Sequence, residues 1–178
     1  MALFSATAID EVTVQDIASA VDMTPAAVYY HFASKDQILA EGVRQFAERF
    51  VGEVRDRVPE RGDPGGLAAL LSHLLAWIAE RPTPATVYFV NSIGLNLTVE
   101  ALRRETRVEL VEILRGAATA VRPRTRRAEA GVVAVALVSL IETSSASMLN
   151  RDAVHRGLGQ ARFVREVVAV GNRIAGLP

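Results

Sequence analysis

The side chains best equipped for chemistry in this chain are three consecutive rings with polar tips, Tyr29, Tyr30 and His31. Three successive residues cannot all point inward from one helix, so at least one ring must face solvent. Exposed polar rings on a short helix suit contact with DNA, provided that helix is held where it can enter a major groove. Other chemistry is poorly served. The Thr143-Ser144-Ser145-Ser147 run has no glycine elbow and no nearby histidine base, so its hydroxyls read as helix-facing groups in a pocket or interface. His73 and His155 lack the i, i+4 His/carboxylate pairing that a metal site on one helix would use. The sequence has no cysteine, which excludes disulfides, thiolate catalysis and Cys-based zinc sites. These features read as a protein that is not an enzyme and needs no cofactor or metal.

The elements that must position the rings are legible in the capping residues. Thr13 can cap a helix, with Asp16 three residues on as in a capping-box variant. Val14, Ile17, Ala18 and Val21 then follow at helical spacing and predict one buried stripe. Asp22-Met23-Thr24 makes a tight corner, and Thr24-Pro25 restarts a helix with a capping hydroxyl before a proline at the first helical position. This second helix runs from Pro25 to Phe32 and carries the rings. Ser34 and Gln37 predict a further capping box that opens a third helix. Helix, tight turn, helix with exposed rings is the helix-turn-helix arrangement.

The segment resembles the N-terminal DNA-binding domain of the TetR family of bacterial transcriptional regulators. The matching residues are Thr13, Val14, Asp16, Ile17 and Ala18, then Thr24-Pro25, Val28-Tyr29-Tyr30-His31-Phe32, Ser34-Lys35 and Ile38-Leu39. The close match covers roughly residues 2 to 45. The resemblance implies DNA contacts from Thr13, Gln15, Thr24, Pro25, Ala26, Ala27, Tyr29, Tyr30, His31 and Lys35, with Lys35 on phosphate. It also implies a first helix with a basic N-terminal end. Here Ala2-Leu3-Phe4 aligns with only the last turn of that helix; a chain that begins at Met1 would leave the recognition helix with less packing support, whereas an incomplete start is the favoured expectation. Ser5 to Val12 stands where the family has its loop.

Charge is unevenly spread. The chain carries 20 cationic and 20 anionic side chains. Residues 1–45 hold Lys35 and Arg44 against Asp10, Glu11, Asp16, Asp22, Asp36 and Glu41, a net of −4, leaving +4 for the remainder. A negative DNA-binding module is unexpected, because phosphate neutralisation supplies most non-specific affinity. Lys35 is the only lysine in the chain.

Half of the residues are apolar and 6% are aromatic, which suits helices packed on helices. There is no secretory signal pattern. The longest uncharged apolar stretch, Ala130 to Ile141, is shorter than the ~20 residues of a membrane span, so a cytoplasmic protein with no membrane partner is expected. The reading is all-α: a helix-turn-helix domain over residues 1–45, then a helical effector-binding and dimerisation domain over residues 46–178. Lys35 to about Val58 predicts a long helix with Ile38, Leu39, Val43, Phe46, Phe50 and Val54 on one face. PERGDPGG (59–66) breaks it. Helices follow over Leu67 to Glu80, stopped by Pro82 and Pro84; over Ala85 to Leu97, short or kinked; then Thr98 to Val121, Arg126 to Leu149 and Gln160 to Leu177. The basic Arg122, Arg124, Arg126 and Arg127 read as a solvated loop between helices.

The resemblance implies a small-molecule pocket within Leu67 to Ile141. Trp77, Tyr88 and Phe89 are large apolar candidates for its walls, and His73, Asn91, Asn96 and Glu142 are the few polar groups among them, a composition suited to a lipophilic effector. Ala130 to Ile141 is apolar around its whole circumference, and Phe163, Val164, Val167, Val168 and Val170 add a second apolar surface. These last two long helices are expected to pair in a homodimer, as a two-fold four-helix bundle. The expected function is a ligand-responsive repressor that leaves a double-stranded DNA operator when its effector binds. The alternative is a helical effector- or partner-binding module whose shortened head does not grip DNA.

Overall fold

Caps set where the helices begin. In the computed structural model, which describes residues 1–63, 65–124 and 126–177, the side chains of Thr13, Thr24, Ser34, Asn96 and Asp152 each accept a backbone N–H from the first turn they precede. The resulting elements are α1 (Ala2–Ala6), a 3₁₀ turn (Ile9–Glu11), α2 (Val14–Ala20), α3 (Pro25–His31), α4 (Lys35–Arg55), α5 (Gly66–Ala79), α6 (Pro82–Thr86), α7 (Leu97–Val121), α8 (Arg127–Asn150), α9 (Ala153–Leu158) and α10 (Gln160–Ile174). No strand occurs among the described residues, so the all-α expectation holds.

Several boundaries differ from the sequence reading, each for a local reason. Pro82 does end α5, but it also starts α6, because its fixed φ suits a first helical position. α6 continues into a π-turn over Val87–Asn91, which is the kink expected between Ala85 and Leu97. The chain then reverses through Gly94 at φ +72, in the left-handed region open to glycine. The short α9 was not anticipated from sequence: Asp152 caps it after Arg151 ends α8. Pro64, in the break after α4, lies outside the described residues.

In the N-terminal part of the chain Phe4, Ile9, Val12, Ala18, Val28, Leu39 and Val43 are all buried. Phe4 is only 2% exposed, and the five-residue α1 packs against α6 and the turn that follows it. Val21 departs from the predicted stripe. It is the residue that ends α2, and it stands 55% exposed. α4 then runs on without interruption from the head into the body, so the 45/46 boundary falls inside one continuous helix. Its buried face is the predicted one, from Leu39 through Val43, Phe46 and Phe50 to Val54, with Ile38 only partly covered.

α7 lies along α4, tied by Arg55 to Glu109, and α8 returns antiparallel beside α7, tied by Arg107 to Glu142. α10 packs on α5 and α8. Gly171 lets α10 and α5 approach closely, since a Cβ there would meet a Leu71 methyl. At 24 residues α8 is long and apolar enough to cross a bilayer by length and composition, which the 130–141 window alone did not suggest. In this fold it is a core helix against α5, α7 and α10.

Candidate nucleic-acid interface

The corner between α2 and α3 is built by backbone. Asp22 adopts φ +53, a left-handed conformation that Asp tolerates better than most residues, and the Met23 N–H returns to the Ala18 carbonyl at 2.9 Å. Thr24 then caps α3 by accepting from Ala27 N–H at 3.2 Å. Of the seven residues of α3, only Val28 is buried. Tyr29 is 55% and Tyr30 86% exposed, and His31 is exposed beside them. The Tyr30 and His31 rings meet edge to face at 5.1 Å. One side of α3 thus packs and the other offers three polar rings to solvent. Pro25 and Ala27 are partly covered, and Ala26 is exposed.

The N-terminal end of α2 is a complete capping box. Thr13 Oγ1 accepts from Asp16 N–H at 3.1 Å, and Thr13 N–H donates to the Asp16 carboxylate at 2.9 Å. The hydroxyl of Thr13 also donates to that carboxylate at 2.6 Å, which with the backbone bond holds Asp16 below the usual carboxylate range. Gln15, next to it, is exposed. The cap of α4 is only half a box: Ser34 accepts from Gln37 N–H, but the Gln37 side chain accepts from Ala33 rather than from Ser34.

Lys35 has protein partners that its spacing did not reveal. Its ammonium donates to the carbonyls of Ile9 at 2.8 Å and Asp10 at 3.2 Å, pinning the 3₁₀ turn to the start of α4. Arg44, the other cation of residues 1–45, is held by Glu41 and Glu48, which raises its pKa and lowers that of Glu41. Both cations of the head are therefore engaged within the protein.

The seven residues expected to line an effector pocket are not gathered around one cavity. Trp77, Tyr88 and Phe89 are 5%, 2% and 2% exposed. They form one aromatic cluster with Phe46 and Phe50 of α4, with centroid separations of 4.8–6.2 Å. Burial pushes the Tyr88 phenol up. Arg103 donates to the Tyr88 carbonyl and covers its ring at 4.9 Å, and Arg81 covers Trp77 at 4.6 Å. Each polar candidate has a separate partner. His73 donates to Glu53 at 2.8 Å and lowers the pKa of that carboxyl. Asn91 donates to the Phe4 carbonyl at 2.9 Å, Asn96 caps α7, and Glu142 pairs with Arg107. Trp77 borders a crevice of about 220 Å³ between Met1, α4, α5 and α6, whereas Asn91 borders a separate groove beside Ser5 to Asp10. The engagement of α4 by the aromatic cluster was missed in sequence, although the i, i+4 spacing of Phe46 and Phe50 was its signal.

The outward face of α8 is apolar in part: Val132 is 72% and Val135 47% exposed, while Val138 is 1% exposed and packs inward. On α10, Phe163 and Val167 also pack inward, which removes them from the expected second surface, and Val164, Val168 and Val170 are partly covered.

Residues 1–42 match the family model described as bacterial regulatory proteins, tetR family. Among curated proteins no sequence matches the chain. Solved structures share its fold. A tetR-family regulatory protein from Rhodococcus RHA1 is 19% identical with TM-score 0.76, over 99% of this chain and 92% of that one. AmtR of Mycobacterium smegmatis is 21% identical with TM-score 0.69, over 99% and 82%. FadR of Bacillus subtilis, solved in complex with stearoyl-CoA, is 16% identical with TM-score 0.70, over 98% and 92%.

Proposed function

We propose that this chain, TetR-like in its N-terminal domain and in its fold, is a homodimeric DNA-binding transcriptional regulator, a repressor released from its operator by a small, largely apolar effector. The observation that carries the reading is the exposed Tyr29-Tyr30-His31 face of α3, on a helix-turn-helix that matches the tetR family model. α3 lies in the major groove, and the hydroxyls and rings contact base edges and backbone. The two head cations are tied to protein atoms, so phosphate contacts fall to hydroxyls and to the N–H groups at helix starts, or require Lys35 to leave the 3₁₀ turn.

Release works through differential affinity: effector and DNA favour different positions of α4. The aromatic cluster supports this, because Phe46 and Phe50 of α4 touch Trp77, Tyr88 and Phe89. An apolar ligand that parts those rings displaces α4, and α4 carries the head. The stearoyl-CoA in FadR supports an effector with an apolar portion.

A second reading, an effector- or partner-binding module that does not grip DNA, is favoured by the net −4 of residues 1–45. Fluorescence anisotropy with duplex DNA from upstream of the chain's own gene separates the two. Saturable binding that outlasts competitor DNA is expected. Binding to that duplex no tighter than to random sequence, at low salt, would withdraw the regulator reading in favour of the second.

A further inference from the structure

The arginines around the α7–α8 connection are used neither by the head nor by the exposed valines of α8. Arg122 donates to the Ala175 carbonyl at 3.1 Å, and both it and Arg126 approach Glu129, at 3.8 and 3.9 Å. Arg127 instead lines a cleft of about 590 Å³. Arg61 from the α4–α5 connection, Glu112, Arg115 and Thr119 from α7, and Ala130 from α8 are among the residues that line it with Arg127. The cleft lies at the end of the body remote from α1–α3, where Gly62 N–H donates to the Ala120 carbonyl and joins the loop to the last turn of α7.

Its charge is lopsided. Arg115 pairs with Glu112, and among the described residues neither Arg61 nor Arg127 has an ion-pair partner. Three guanidinium groups against one carboxylate leave two positive charges facing one concavity, an arrangement that is unfavourable until an anion occupies it. The helix ends add to the imbalance. Among the described residues Arg126 supplies no side-chain cap to α8, and the start of that 24-residue helix carries a partial positive charge. At the end of α7, the Ala118 and Ala120 carbonyls are already taken by Arg122 and Gly62. There is also room: a Cβ on Gly116, which lines the cleft, would meet nothing within 4 Å.

We propose that this cleft binds a small organic dianion, a phosphate monoester or a dicarboxylate, clasped between Arg61, Arg115 and Arg127. Planar guanidinium forks match either group by paired charge-assisted hydrogen bonds. The site is separate from the apolar effector reading and does not depend on it, because it uses none of the aromatic cluster.

Calorimetric titration of the full chain with phenyl phosphate and with phthalate, at constant ionic strength in chloride, tests the proposal. Saturable binding of at least one probe is expected, with one site per chain. The tighter of the two identifies phosphate ester or dicarboxylate. Affinity should fall roughly tenfold or more in the Arg61→Ser/Arg127→Ser double variant. Gly116→Leu should block binding while leaving every charge in place, and Arg104→Ser, an exposed arginine of α7 outside the cleft, should leave it unchanged. Arg61 and Arg127 are exposed, so their variants should keep the wild-type melting temperature, and that arm decides should Gly116→Leu fold poorly. Absence of saturable heat with both probes at millimolar concentration overturns the site. So does equal weakening by Arg104→Ser, which would mark diffuse attraction.

Discussion

Tyr30 keeps 86% of its surface in water and contacts little besides the His31 ring. Truncating it removes almost no buried area, so Tyr30→Ala should change folding stability by no more than about 0.5 kcal/mol. Affinity for operator DNA should fall by about 1–3 kcal/mol, the cost of one lost base-pair contact. Thermal melts beside anisotropy titrations check both, and a sharply lowered melting temperature would place the ring in the packing of the head. Asp16 makes a prediction about acid. Its carboxylate is held below its ordinary value by the Thr13 hydroxyl first and by the Thr13 N–H second. The folded pKa is thus below the unfolded one, near 3.9. The stability this bond contributes is complete above that value and is lost as pH falls through the lower folded one. Helicity followed by circular dichroism should therefore be lost more steeply below about pH 4 in the wild type than in Asp16→Asn. Superimposable acid profiles would show that the capping box carries no such linkage.

Among the elements, the π-turn over Val87–Asn91 joins head to body. Phe46 and Phe50 bring α4 onto Tyr88 and Phe89 from one side, and Asn91 reaches back to the Phe4 carbonyl of α1 at 2.9 Å. A π-turn widens the helix by one residue, and such turns often mark functional positions. Asn91→Leu keeps the branched shape and removes the donor, at a net cost of about 1 kcal/mol. Hydrogen exchange should accelerate at the amides of α1 and the 3₁₀ turn while those of α7 and α8 hold their protection. Unchanged exchange in α1 would mean that Asn91 does not fasten the head.

For the whole molecule, α8 decides the outcome. Its inner face, with Ala134, Leu137, Val138 and Ile141, is core, whereas Val132 and Val135 stand exposed on the other side. If a second copy covers that outer face, the helix is apolar all round because both of its faces are buried. Val132→Asp/Val135→Asp should then yield a folded monomer. Val138→Asp should instead destabilise the fold itself by about 3–5 kcal/mol, by analogy with leaving a buried charge unpaired. Sedimentation velocity across a concentration series, with melting curves, separates these results. A wild-type chain that sediments as a monomer throughout would remove the homodimer from the proposed function.

Where helices begin, and which segment forms the helix-turn-helix, could be read from local residue types and their spacing. Capping by Thr13, Thr24 and Ser34 acts within four residues, and Thr13 to Leu39 lies within the segment that matches the tetR family model. The buried face of α4 was equally legible, since one long helix repeats its apolar positions many times. Which neighbours those helices meet depends on the folded arrangement. Val21 emerges exposed and Val138 buried, and Lys35 is claimed by carbonyls more than twenty residues away. Trp77, Tyr88 and Phe89 fill a cluster with α4 rather than ringing a cavity, and the arginines that followed one another in sequence separate, with Arg127 joining Arg61 and Arg115. A cap is satisfied by its own next turn, whereas burial and ion pairing depend on atoms brought close by folding from distant parts of the chain, and no local pattern encodes which atoms those will be.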